Sequence, residues 1–179
     1  MMLSKNDTIL IVIDFQERMM PHIDGGNEVL RNARKLIKAA RIFNLPIIVT
    51  KQKKLGNTVE EIADIIGEEV IEKTTFSCYK NKEFASRIDG IGRKQCIITG
   101  IETHICVLQT ALDLKEAGYE VHVAVDCTSS RKKYEKDVAI KRMIQEGIFV
   151  TTAETAIYEM LVDAKAEEFK DILSIVKEG

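Results

Sequence analysis

Three side chains suited to covalent chemistry stand at or shortly after short apolar runs of the sequence. Asp14 closes the run Ile9–Ile13, Lys73 ends the third such run, and Cys106 follows the fourth. A carboxylate at the end of an apolar strand is costly to desolvate unless it is paired. A thiol combined with a carboxylate and an ammonium group forms an activated nucleophile with a proton acceptor. These three residues are the first candidates for a catalytic site.

Each of the three has a simpler interpretation when it is taken alone. Asp14 could cap a turn, Lys73 could be an exposed surface residue, and Cys106 could be a small core residue. Only convergence at one edge of a sheet would favour catalysis. We predict Cys106 in the first turn of a helix, where the helix N-terminus and Lys73 would lower the pKa of its thiol.

The elements that would position these residues alternate between strands and helices. Nearly continuous apolar runs are typical of parallel strands buried on both faces. Six strands are predicted, at Thr8–Asp14, Pro46–Thr50, Glu69–Glu72, Gln95–Gly100, Val121–Asp126 and Gly147–Thr151. Helical periodicity predicts helices at Val29–Phe43, Val59–Ile66, Lys82–Ile88, Ile105–Ala117, Tyr134–Glu146, Glu154–Leu161 and Ala164–Val176.

This alternation predicts a three-layer α/β/α fold with a doubly wound, six-stranded parallel sheet. The 179 residues suit one domain spanning 1–179. In such sheets ligands bind beyond the carboxyl ends of the strands, where the strand order reverses. With the order 3-2-1-4-5-6, strands one and four are neighbours at that point. Asp14 and Cys106 would then face one crevice.

Composition excludes several classes of partner. The net charge of −2 gives no electrostatic reason to expect nucleic acid or an anionic membrane. No run approaches the roughly 18 apolar residues of a membrane helix, and no signal peptide is recognisable. The four cysteines Cys78, Cys96, Cys106 and Cys127 form no CxxC pair and are expected to be free thiols. A cytoplasmic protein is predicted.

Three segments, in order along the chain, resemble the signature segments of the isochorismatase-like cysteine hydrolases. They are Ile11–Gln16, Glu72–Ser77 and Thr99–Val107, and Asp126–Arg131 is similar to a further family segment. The resemblance extends over essentially the whole chain and is greatest to the small stand-alone isochorismatase-domain proteins. It implies the isochorismatase-like hydrolase fold and self-association as a homo-oligomer, a dimer or higher.

The resemblance also implies roles for individual residues. The Asp–Lys–Cys triad of the family falls on Asp14, Lys73 and Cys106. A non-proline cis peptide falls on the Ile101–Glu102 bond, and the backbone N–H groups of Glu102 and Cys106 would form an oxyanion hole. The function this implies is hydrolysis of a small amide or carbamoyl-type C–N bond through a thioester. Two alternatives stay open, vinyl-ether or ester hydrolysis and a catalytically idle oligomeric scaffold.

Cofactor and substrate contacts complete the expectations. Metal-dependent members carry an Asp-x-His after the second strand, whereas Thr50–Leu55 contains neither carboxylate nor imidazole. We therefore expect no metal and no cofactor, and a small molecule as the substrate. Phe15, Gln16 and Phe76 follow the candidate residues closely enough to be predicted as substrate contacts. Arg131 is either a solvated residue before a helix or a ligand for a substrate anion.

Overall fold

A computed structural model describes residues 1–178 and contains one six-stranded sheet. Its strands are β1 (Thr8–Ile13), β2 (Ile47–Gln52), β3 (Val70–Lys73), β4 (Gln95–Ile101), β5 (Glu120–Ser129) and β6 (Phe149–Thr151). The spatial order is β3-β2-β1-β4-β5-β6, and every neighbouring pair is parallel. The predicted doubly wound topology is confirmed, and β1 and β4 are neighbours at the point where the order reverses.

Seven α-helices cover the two faces of the sheet. They are α1 (Gly26–Ile42), α2 (Glu60–Ile66), α3 (Lys82–Ile91), α4 (Leu108–Glu116), α5 (Lys133–Gln145), α6 (Ala153–Leu161) and α7 (Phe169–Val176). One apolar cluster joins the sheet to α1, α2, α6 and α7, and a second joins it to α3, α4 and α5. Successive residues of β1 alternate between these clusters, which is why the whole strand is apolar.

Two predicted boundaries are corrected by the structure. The last helix begins at Phe169 and not at Ala164, because the carbonyl and side chain of Asp163 accept backbone N–H bonds that hold 164–168 in turns. Strand β5 continues to Ser129 beyond the predicted end at Asp126. A bulge opposite Ile98–Gly100 lets β5 resume its pairing with β4.

No helix in the described part of the chain is both long and apolar enough to cross a membrane.

A close approach of β1 and β4 shapes the edge of the sheet that carries the candidate residues. Gly100 has φ +136°, and a Cβ atom there would lie 2.2 Å from the carbonyl oxygen of Ile13. Only glycine fits beside the residue that precedes Asp14. The two strands therefore deliver Asp14 and the segment leading to Cys106 side by side.

Candidate active site

Asp14 turns out of β1 in a left-handed conformation, with φ +52°. Such a φ is uncommon for a residue with a side chain, although aspartate tolerates it better than most. Its backbone N–H donates to the carbonyl oxygen of Thr50 at 3.1 Å, and the Thr50 hydroxyl donates to Asp14 Oδ1 at 2.9 Å. Asp14 is buried, so its carboxylate is held in one orientation at the base of a cleft.

Lys73 ends β3 with its side chain fully buried. Its Nζ donates to Asp14 Oδ2 at 2.9 Å and contacts Cys106 Sγ at 3.5 Å. Three further acceptors surround the ammonium group, namely Gln52 Oε1 at 2.7 Å and the carbonyl oxygens of Thr75 and Phe76 at 3.1 Å. Burial lowers the pKa of Lys73, but the Asp14 carboxylate and the thiols of Cys78 and Cys106 outweigh it, and the net pKa is raised. Lys73 is therefore a fixed cation.

Cys106 lies in a π-helical turn, Thr103–Val107, that precedes α4. The predicted first helical turn is present, but it is π-helical and not α-helical, because the N–H of Val107 reaches back five residues to the carbonyl of Glu102. Two side-chain hydrogen bonds fasten this wide turn to the segment at the end of β5. Thr103 Oγ1 pairs with Thr128 Oγ1, and His104 Nδ1 pairs with Ser130 Oγ, both at 2.8 Å.

The thiol of Cys106 has a raised pKa, opposite in direction to the sequence-based expectation. Burial disfavours the thiolate, and the neighbouring carboxylate of Asp14 disfavours it further. Lys73 lowers the pKa of Cys106 without overcoming these two effects. At neutral pH the resting residue is a thiol, so its proton must be removed during any reaction in which the sulfur acts as a nucleophile.

Glu102 connects the turn that carries Cys106 to Arg131, which also lines the cleft. The Ile101–Glu102 peptide bond is cis. Glu102 Oε1 accepts hydrogen bonds from both the backbone N–H and Nε of Arg131, each at 3.0 Å. The Glu102 side chain is buried, whereas that of Arg131 is more than half exposed. The guanidinium group is therefore anchored at Nε and still reaches solvent at the cleft.

The cleft itself has a volume of about 220 Å³. Asp14, Glu102 and Cys106 are among the residues that line it. The remaining lining is mostly apolar and comprises Met19, Gln52, Leu55, Phe76, Ile101, Ile105 and Arg131. A cleft of this size and polarity suits a small organic molecule.

Among the three predicted substrate contacts, only Phe76 lines this cleft, with its ring half exposed. The other two predictions are corrected. Phe15 is buried in the apolar cluster beneath α1. Gln16 is also buried, and its amide donates to the carbonyls of Gln52 and Gly56 and accepts from the N–H of Gln52. It braces the loop after β2.

Sequence reasoning missed two residues that contact the candidate triad, Thr50 and Gln52. Both stand at the carboxyl end of β2. The strand register places Thr50 beside Ile13 and Gln52 beside Lys73. Alternate residues of a strand lie on the same face. The two polar residues Thr50 and Gln52, spaced by two at the end of β2, were therefore the signal in the sequence that both could contact the candidate triad.

Within residues 1–178, no group of three or more His, Cys, Asp or Glu side chains is arranged to hold a metal ion. The oxygens nearest Lys73 Nζ already accept its hydrogen bonds and belong to Asp14, Gln52, Thr75 and Phe76. These oxygen atoms at the strand edge thus serve as hydrogen-bond acceptors for an ammonium group.

Comparison with known proteins identifies the class. The model of the isochorismatase domain matches residues 8–155, so the chain belongs to the isochorismatase family and has its hydrolase fold. Isochorismatase domain-containing protein 1 of Salmo salar is 38% identical over 173 residues. The match covers 95% of this chain but only 61% of that relative, which is less than two thirds of its length.

Two solved structures resemble the whole chain. The MAR1 ribonuclease of Caenorhabditis elegans is 34% identical, with a TM-score of 0.92 and coverage of 98% of this chain and 92% of that one. The YcaC gene product of Escherichia coli is 26% identical, with a TM-score of 0.91 and coverage of 97% and 90%. It is described as an octameric hydrolase of unknown specificity.

Proposed function

We propose that this protein is a metal-independent cysteine hydrolase that cleaves a small amide or carbamoyl-type C–N bond through a thioester on Cys106. The observation that carries the proposal is the position of Lys73 Nζ, 2.9 Å from Asp14 Oδ2 and 3.5 Å from Cys106 Sγ. A base and a thiol that line one cleft and contact the same buried cation are the components of nucleophilic catalysis.

Asp14 is the proton carrier in this mechanism. Its carboxylate takes the proton from Cys106 Sγ while the sulfur attacks the substrate carbonyl carbon, and the C=O π electrons move to oxygen. When the tetrahedral adduct collapses, the C–N bond breaks and the leaving nitrogen receives the proton from Asp14. Asp14 then deprotonates a water whose oxygen attacks the thioester carbonyl carbon. The C–S bond breaks, the acid product leaves, and the departing sulfur takes the proton back from Asp14, so that Asp14 is again a carboxylate and Cys106 again a thiol.

Lys73 and the backbone around the cis bond have complementary roles. Because Lys73 remains an ammonium group, it offsets the negative charge that develops on sulfur when the thiol loses its proton. The N–H groups of Glu102 and Cys106 are proposed to stabilise the oxyanion of the tetrahedral adduct, since both residues line the cleft. Because the pKa of Cys106 is raised, its sulfur becomes an effective nucleophile only when Asp14 accepts the thiol proton.

A small molecule is the proposed substrate, and neither nucleic acid nor a membrane is a proposed partner. A volume of about 220 Å³ accommodates an amide of a few carbon atoms but not a nucleotide strand. The net charge of −2 agrees with this choice. RNA hydrolysis is the second candidate, because the C. elegans structure at 34% identity carries the name of a ribonuclease.

Two observations support a proposed compartment and a proposed assembly for the enzyme. All four cysteines are free and buried, which supports a reducing compartment such as the cytoplasm. The octameric E. coli neighbour supports assembly of this chain as a homo-oligomer.

Release of ammonia from amides, ureido acids and carbamoyl amino acids tests the function, with an ester, a vinyl ether and single-stranded RNA as parallel substrates. The wild type is expected to act on the C–N substrates and to show a mass increase on Cys106 after rapid acid quench. Cys106→Ala removes both signals. Cys96→Ala is the matched control, because Cys96 is a buried thiol at the end of β4 opposite the cleft.

The other outcomes select among the alternatives. Cleavage of RNA alone replaces the proposal with the second candidate, and cleavage of the vinyl ether alone replaces it with carbon–oxygen chemistry. Full turnover by Cys106→Ala refutes the thioester mechanism. Turnover of none of the substrates at high enzyme concentration supports the idle scaffold.

A further inference from the structure

Helix α5 carries large apolar side chains on the side that faces solvent. Tyr134, Val138 and Ile144 are 57%, 61% and 51% exposed, whereas only Ala139 and Met143 of this helix are fully buried. A helix on the surface of a globular protein normally has one apolar stripe and a polar opposite face. Apolar residues on both sides are typical of a helix that is covered on both sides.

The outer residues of α5 share one face. At 100° per residue, positions 134, 137, 138, 141 and 144 fall within an arc of about 120°. This outer face contains three apolar residues, the acid Asp137 and the base Lys141. In the single chain Asp137 accepts a hydrogen bond from Lys133 at 2.8 Å, an exposed pair within the same helix.

The spacing on this face is symmetric about position 139. Tyr134 and Ile144 stand five residues before and after it, and Asp137 and Lys141 stand two residues before and after it. Consider two copies of α5 that lie antiparallel, with a two-fold axis passing at position 139. Asp137 of one copy then faces Lys141 of the partner subunit, and Tyr134 faces Ile144 of the partner subunit. A two-fold interface requires this self-complementarity.

We propose that the outer face of α5 is the docking surface for a second copy of this chain, with the two α5 helices antiparallel. Tyr134 packs on Ile144 of the partner subunit, and Asp137 pairs with Lys141 of the partner subunit. Val138 lies beside the axis and meets its own counterpart. Each of the two side-chain pairs occurs twice across the two-fold axis, so the pair of helices forms four specific interactions.

The position of α5 connects this surface to the candidate active site. The inner face of α5 packs against the turn Thr103–Val107, which carries Cys106, and against α4. A second copy on the outer face restricts the movement of α5 and therefore of that turn. Assembly therefore acts on the cleft through α5, and the partner subunit contributes no residue to the cleft.

Sedimentation velocity and light scattering on the full-length protein test the proposal. Val138→Glu places two like charges next to each other at the two-fold axis, at little cost to the isolated chain because the residue is mostly exposed. The expected result is a halved particle mass, or a dissociation constant raised by at least about tenfold. Val162→Glu is the matched control, since Val162 is 84% exposed and lies outside α5, and it should keep the wild-type mass.

A charge exchange tests the antiparallel register independently of hydrophobic burial. Asp137→Lys places like charges opposite each other and should dissociate the particle, whereas the double variant Asp137→Lys with Lys141→Asp restores the pairs and should recover the wild-type mass. A wild type that is monomeric at about 100 μM overturns the proposal, as does an unchanged mass in both Val138→Glu and Asp137→Lys. Because particle mass requires no turnover, failure of the proposed reaction leaves this result unaffected.

Discussion

Thr50 holds Asp14 at two points, one on the backbone and one on the side chain. The carbonyl oxygen of Thr50 accepts the Asp14 N–H at 3.1 Å, and its hydroxyl donates to Asp14 Oδ1 at 2.9 Å. Lys73 Nζ donates a hydrogen bond to the other carboxylate oxygen, Asp14 Oδ2. Both oxygens therefore have fixed partners, and the face of the carboxylate that meets the thiol is determined by residues of two neighbouring strands.

Replacing Thr50 with valine removes the hydroxyl and keeps the shape of the side chain. The carboxylate of Asp14 then loses the donor that fixes its rotation, and proton transfer from Cys106 becomes less well aligned. We expect kcat to fall about tenfold to a hundredfold with little change in KM. Steady-state kinetics on the best C–N substrate measures both quantities.

The control for this variant is Thr99→Val, two strands away on β4. Thr99 is equally buried, and its hydroxyl donates to the carbonyl of Cys127 at 2.7 Å, so its loss also leaves a buried acceptor unpaired. Stability should fall by about 1–3 kcal/mol in both variants. An equal loss of kcat in the two proteins would show that Thr50 acts only through general stability.

Lys73→Met tests the buried ion pair. Both side chains of the pair are almost completely inaccessible, and the substitution leaves the Asp14 carboxylate buried without its cation. We expect a loss of about 3–5 kcal/mol in the free energy of unfolding together with loss of turnover. Lys51→Met, which breaks an exposed pair with Glu72, should cost about 0–1 kcal/mol. Urea denaturation of the two variants distinguishes these values, and equal costs would contradict the account.

The sequence was sufficient to predict a doubly wound parallel sheet, because apolar strands alternate with helices. The positions of the strand ends predicted that Asp14, Lys73 and Cys106 meet at one edge, on the condition that the strand order is the one now observed. The sequence could not predict the local geometry of Cys106. The five-residue reach from Val107 to Glu102 depends on tertiary tethers between the turn and the segment at the end of β5. Helical periodicity alone contains no trace of those tethers.

The direction in which the pKa of Cys106 shifts could likewise not be predicted from the sequence. A lysine and a helix start favour the thiolate, but burial and the nearby carboxylate have the larger combined effect.

Gln16 was mistaken for a substrate contact for a related reason. Its place in the chain put it near the cleft, whereas its three hydrogen bonds to the loop after β2 depend on how that loop folds.

Arg131 is expected to select substrates that carry a carboxylate. Glu102 anchors its Nε, and the exposed end of the guanidinium group stands at the cleft. Arg131→Met should therefore raise KM for a ureido acid by about tenfold or more, which corresponds to about 1.4 kcal/mol, and should leave a neutral amide of the same size nearly unaffected. Lys132→Met is the neighbouring control outside the cleft lining. Equal effects on acidic and neutral substrates would contradict a role in charge recognition.

Alkaline pH should destabilise the fold through its buried thiols. Burial raises the pKa of Cys78 from 9.0 to about 11 and also raises those of Cys96, Cys106 and Cys127. Above pH 9 the unfolded chain loses these protons first while the folded chain retains them, so unfolding releases protons. Stability is complete below pH 9 and falls as the pH rises, by up to about 1.4 kcal/mol per pH unit for each thiol.

Cys96→Ala isolates the contribution of one thiol to this slope. Cys96 is fully buried at the start of β4, at the opposite end of the strand from the cleft, so its removal leaves the candidate site intact. Ile98→Val is the control, because it removes a methyl group from the same face of the same strand and keeps all four thiols. Urea unfolding at pH 8 and at intervals up to pH 10.5 should show both variants weakened at pH 8, with a shallower alkaline decline only in Cys96→Ala. Parallel declines in the two variants would mean that the buried thiols keep their ordinary pKa values and that another group causes the loss.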